Sequence, residues 1–109
     1  MFTRTDDFAA LNGSSFMVTV DVSPDFLIRK FGEPDPSDGY KTSMEWAFED
    51  SGGNVVSLYD WKSTSLYSSG LPNPDVLRCS PFPHQFHIGG HSFEAAHNLA
   101  EWLKSEGEV

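Results

Sequence analysis

Two alternating segments joined by a five-residue turn constrain this chain more than any other feature. Residues 40–49 place Tyr40, Thr42, Met44, Trp46 and Phe48 on one side and Lys41, Ser43, Glu45, Ala47 and Glu49 on the other, the period-two pattern of a half-buried strand. Asp50-Ser51-Gly52-Gly53-Asn54 follows, a run of residues that tolerate positive φ, and strand character resumes at once over about 54–62 in NVVSLYDWK. The pair is expected to close as an antiparallel hairpin. One apolar face of such a hairpin must be buried against other elements.

The rest of the chain supplies those elements. From Ser15, Phe16, Val18, Val20 and Val22 alternate with Met17, Thr19 and Asp21, which predicts a first strand with the first four on one face. Ser23-Pro24-Asp25 carries a helix N-cap, a proline at the first helical position and an acid in the first turn, and Gly32 supplies a stop. A short helix over 24–31 is expected, then a GEPDPSDG loop. Residues 63–83 are rich in Ser and Pro and predict one long loop. QFHI reads as a fourth strand ended by a Gly89-Gly90 turn, and Ser92 caps a final helix with Phe93, Ala96, Leu99, Ala100 and Leu103 along one stripe. The order β-α-β-β-β-α predicts an α+β fold: a mainly antiparallel four-stranded sheet with its helices on one face.

At 109 residues and 12.1 kDa the chain is long enough for one core and too short for two, so residues 1–109 are read as a single domain with a flexible N-terminal segment at 1–14. Seven Lys plus Arg against sixteen Asp plus Glu give a net charge of -9, which repels phosphate backbones and anionic lipid. Direct nucleic-acid and membrane binding are therefore disfavoured. Cys79 is the single cysteine, which excludes an internal disulfide. The start MFTRTDDFAALNGSS has Asp6 and Asp7 where a signal peptide would be apolar, so a soluble protein of the cytoplasm is expected. An exposed edge strand would permit a homodimer as readily as a monomer.

No catalytic constellation is complete, and the chain is read as a non-enzyme with no cofactor. His84, His87, His91 and His97 lie within fourteen residues. Strand parity sends His84 and His87 to opposite faces, which leaves His87 with His91 across the Gly-Gly turn as the pair still able to share an ion, and no metal site is assigned. Cys79 lacks the flanking motif of a nucleophile. Two surfaces remain. The first is acidic: Glu45, Glu49, Asp50 and Asp60, if the hairpin gathers them, would concentrate negative potential able to engage a basic protein groove. The second is a ligand site in which Gly89, Gly90 and Ser92 offer backbone N–H groups at a helix N-terminus to a phosphate, Lys62 adds charge, and Trp61 or Tyr59 stacks a base.

The segments FGEP at 31–34, GYKTSMEWAFED at 39–50, VVSLYDWK at 55–62 and HIGG at 87–90 occur in an order that resembles a group of small bacteriophage and large-virus proteins. The chain departs from that pattern in having Phe86, where the group often has Trp, and in a longer 63–83 loop. The resemblance implies a viral accessory protein acting in the cytoplasm of the host cell, where inhibition of a defence or restriction factor is a common role. The expected function is inhibition of a host protein through its basic, nucleic-acid-binding surface. The alternative is a nucleotide or cyclic-nucleotide sponge.

Overall fold

The computed structural model describes residues 2–35, 44–60, 70 and 73–107. Along the chain run β1 (Thr3–Thr5), a 3-10 helix (Phe8–Leu11), β2 (Ser15–Val22), α1 (Pro24–Phe31), β3 (Glu45–Glu49), β4 (Val55–Tyr59), α2 (Pro74–Leu77), β5 (His84–Gly90) and α3 (Phe93–Gly107). The α+β class holds, but the antiparallel sheet has five strands, not four, in the order β1-β3-β4-β5-β2. The extra strand, Thr3–Thr5, comes from the segment expected to be a flexible lead-in. Thr3, Arg4 and Thr5 pair with Glu49, Phe48 and Ala47, and Phe2 is buried against Trp102 with ring centroids 5.5 Å apart.

The β3–β4 hairpin pairs Trp46 with Leu58 and Phe48 with Val56, and all four side chains are buried. Its turn is held by Asp50, whose Oδ1 accepts hydrogen bonds from the backbone N–H groups of Gly52 (2.9 Å) and Asn54 (2.8 Å), while Gly53 takes the positive φ of 85° that the turn requires. Across the sheet, Val20, Phe86, Ile88, Leu58, Val56, Trp46 and Phe48 form one apolar face. Ala96, Leu99, Ala100 and Leu103 of α3 complete the core with Leu27 of α1. Burying each large side chain here contributes about 1.5–3 kcal/mol.

The Ser23 side chain caps α1 by accepting from the Phe26 N–H at 3.1 Å, and Gly32 ends the helix at φ 89° with its N–H donating to the Ile28 carbonyl at 2.9 Å. The residues just after α1 join three elements. The Phe31 carbonyl accepts from Arg4 at 2.8 Å, the Gly32 carbonyl accepts from the Trp46 indole at 3.1 Å, and Asp35 binds Arg4 at 3.0 Å. FGEP is thus a structural junction between α1, β1 and β3.

Four further expectations are corrected. The stretch 63–83 is not all loop, since α2 forms within it and buries Leu77. Gly89 and Gly90 do not form a turn; they are the last two residues of β5, paired with Phe16 and Ser15 on one side and Ser57 and Val56 on the other. Phe93 is not in the buried stripe: it is 60% exposed and stacks on His97, one turn along α3. In β2 the register shifts between Phe16 and Val18, so Met17 is an extra residue and Phe16 turns to the opposite face from Val18. The strand and loop residues expected at 40–43 and most of 63–72 lie outside the described residues.

Candidate functional site

The sheet face turned away from α1 and α3 carries the candidate site. Pairing aligns Glu45, Tyr59, His87 and Thr19 in one row across β3, β4, β5 and β2, and Ala47, Ser57, Gly89 and Phe16 in the next. The second row is low because its middle residues are small. Beside it the 3-10 helix packs against β4, and Phe8, Leu11 and Asn12 with Phe16, Ser57, Tyr59, Gly89 and Glu45 line a cleft of about 300 Å³. A side chain at position 89 would crowd this floor. A Cβ there would lie 3.2 Å from Ser57 Oγ, 3.3 Å from the Ser15 carbonyl oxygen and 3.5 Å from the Tyr59 ring. Position 90 is equally tight on the opposite face, where a Cβ would lie 3.0 Å from Val56 Cγ1.

Aromatic rings link the rows. Phe16 lies 4.8 Å from His87, and Tyr59 lies 5.8 Å from His87 on its other side. Burial lowers the His87 pKa below the ordinary imidazole value and keeps the ring neutral at pH 7. Burial, with the Glu45 carboxylate nearby, raises the Tyr59 hydroxyl above its usual range. Among the described residues the charged side chains on this face are carboxylates, Glu45, Glu49 and the exposed Asp21 of β2. The described basic side chains are paired elsewhere: Arg4 with Asp35, Arg29 with Asp25, Lys30 with Glu106, Arg78 with Glu33 and Lys104 with Glu101. Among the described residues no Lys or Arg lies on the open sheet face.

The structure divides the four expected acidic residues. Glu45 and Glu49 share the open face, about 13 Å apart along β3. Asp50 sits at the hairpin turn, where the Asn54 side chain and backbone, then Gly52 and Gly53, hold its pKa below the usual carboxylate value. Asp60 is on the other side: it is fully buried, and its Oδ1 accepts from the Met44 N–H at 2.8 Å. The reason is parity. Glu45 pairs with Tyr59, so the next residue, Asp60, stands opposite Met44 and shares the core side with it.

The described residues of the expected phosphate cradle do not form one. Gly89 and Gly90 are strand residues flanked by ladders on both sides, so their amides belong to the sheet. Ser92 caps α3, its Oγ accepting from the Ala95 N–H at 3.2 Å. Tyr59 is in the cleft, while Trp61 and Lys62 lie outside the described residues.

The histidines do not converge. His84 faces the core side, where its Nε2 is buried without a hydrogen-bond partner among the described residues, and burial lowers its pKa against the pull of the Asp60 and Asp21 carboxylates. Among the described residues no group of three His, Cys, Asp or Glu side chains is placed to hold a metal ion. No described helix is long and apolar enough to cross a membrane. Two contributors to the site were missed from the sequence: the 3-10 helix, and the turn of Phe16 onto the open face. A Phe-Ala-Ala-Leu run flanked by polar residues was the signal for the first; the second depends on a bulge that alternation conceals. Compared with known proteins, the sequence matches no protein-family model and no curated protein.

Proposed function

We propose that this chain is a small, non-enzymatic accessory protein, of the kind viruses direct against host defences, that binds and inhibits a host protein through the latter's basic, nucleic-acid-binding surface. The observation that carries the reading is the asymmetry of charge. Glu45, Glu49 and Asp21 share the open sheet face, whereas the described basic residues are bound in ion pairs away from it. With a net charge of -9 on 109 residues, such a face steers toward a positive surface and repels competing nucleic acid. Phe16, 53% exposed on the edge strand β2 of that face, adds an apolar contact of the type that stabilises a docked complex.

The test is capture of partners from bacterial lysate at low salt on the immobilised full chain, beside a Glu45→Lys/Glu49→Lys variant. A stoichiometric protein that elutes with salt and is lost from the charge-reversed variant supports the reading. Binding that is equal at low and high salt and unaffected by the reversal overturns it.

A further inference from the structure

The cleft between the 3-10 helix and the sheet is more specific than an acidic face requires. Its floor is Ser57 and Gly89, its aromatic walls are Phe8, Phe16 and Tyr59, and the carboxylate at its edge is Glu45. We propose that this cleft receives an arginine side chain from the basic surface of the partner, with the guanidinium held between the aromatic rings and the Glu45 carboxylate. The inference rests on the binding reading above and names the chemical group that the face recognises.

Three features select this occupant. At about 300 Å³ the cleft is at the small end of the roughly 300–1,000 Å³ range of small-molecule sites, ample for one long side chain. The lining contributes a carboxylate, hydroxyls and backbone carbonyls without a described basic group, so a cation is favoured and a phosphate is repelled. Aromatic faces attract a cation, and a flat guanidinium stacks on them with less loss of hydration than a compact ammonium. His87, on the strand between them, lies against Phe16 and Tyr59 at 4.8 and 5.8 Å. Its neutral ring brings no competing charge into the cleft.

The lack of a Cβ at Gly89 is what keeps the floor this low, because Ser57 Oγ stands 3.2 Å from where that atom would be. The same hydroxyl donates to the Gly89 carbonyl at 3.4 Å. The floor is thereby held in place before any ligand arrives, which limits the ordering cost of binding.

The experiment is an NMR titration of the full chain, labelled with nitrogen-15, with N-acetyl-arginine methylamide. The lysine and citrulline counterparts serve as a charged and an uncharged comparison. The arginine probe is expected to shift the Ser15, Phe16, Ser57 and Gly89 amides saturably, the lysine probe to bind more weakly, and citrulline to leave them unmoved. Glu45→Gln and Phe16→Ala should each weaken arginine binding about five- to tenfold. Both positions are outside the core, so dispersed spectra will show the variants folded. Equal shifts from citrulline, arginine shifts at other residues, or full binding by folded Phe16→Ala overturns the assignment.

The two readings fail separately. Salt-sensitive partner capture that Glu49→Lys abolishes, without an arginine response, retains the acidic face and removes the cleft. An arginine response with no salt-sensitive partner does the reverse.

Discussion

Asp60 and Met44 are joined by two hydrogen bonds across the end of the β3–β4 hairpin: the Met44 N–H donates to the Asp60 carboxylate at 2.8 Å, and the Asp60 N–H donates to the Met44 carbonyl at 3.3 Å. Asp60 is fully buried and Met44 is 2% exposed. An acidic residue that would be assigned to a binding face on charge alone is instead part of the interior, extending the ladder one pair beyond the strands.

Asp60→Ala is therefore expected to destabilise the fold by about 1–3 kcal/mol, the cost of a buried N–H left without its acceptor. Asp60→Asn, which retains a carbonyl oxygen at that position, should lose less. Urea denaturation followed by tryptophan fluorescence measures both. Equal midpoints for the wild-type chain and Asp60→Ala would remove Asp60 from the structural role.

Asp50 acts through the hairpin turn and has a pH signature. Its pKa lies below the ordinary carboxylate value of 3.8, chiefly because of the hydrogen bond from the Asn54 side chain. A depressed folded-state pKa stabilises the protein above the unfolded value, and this stabilisation is lost as pH falls through the folded value. Asp50→Ala should consequently be less stable than wild type at pH 7, with the gap closing below pH 3.8. Paired urea titrations at pH 7, 4 and 3 would show it, and a gap constant with pH would count against it.

A second acid-side signature, at milder pH, comes from His84 and His87, whose pKa values burial lowers from 6.5. Folding favours the neutral rings, so the unfolded chain binds more protons once pH drops below 6.5, and stability is fully present only above that value. Thermal melts at stepped pH should show Tm falling from pH 6.5 downward. A His84→Gln/His87→Gln variant should have a flatter profile over the same steps.

Phe2 reports on the strand that precedes the 3-10 helix. It is 7% exposed and packs on Trp102, which itself meets Phe31 at 5.6 Å and Phe48 at 6.3 Å. Phe2→Ala is expected to cost about 3–5 kcal/mol, as removal of a core phenylalanine does. Phe93→Ala, at an exposed position, should cost far less. The comparison is made by urea unfolding, and a neutral Phe2→Ala would return residues 2–5 to a flexible role.

Local signals in the sequence determined much of this protein. The α1 helix at Pro24–Phe31 agrees residue for residue with its Ser-Pro-Asp start and Gly32 stop, because capping is a contact between near neighbours. The β3–β4 hairpin follows from alternation on either side of a turn that Asp50 and Gly53 close locally. The apolar stripe from Ala96 to Leu103 marked the buried side of α3 for the same reason.

Only the tertiary structure decided what those elements face. Thr3–Thr5 is too short to declare itself and becomes a strand through long-range pairing with β3. Gly89 and Gly90 read as a turn by composition, yet they are strand residues because they pair with β2 and β4 on both sides, and Ser57 and Val56 approach so closely that glycine suits both positions. The register of β3 with β4 sent Glu45 to the open face and Asp60 to the core, and the bulge at Met17 turned Phe16 toward the cleft. A one-residue shift reverses the face of every side chain in a strand. Composition records the charges, while pairing with distant strands determines which of them meet solvent.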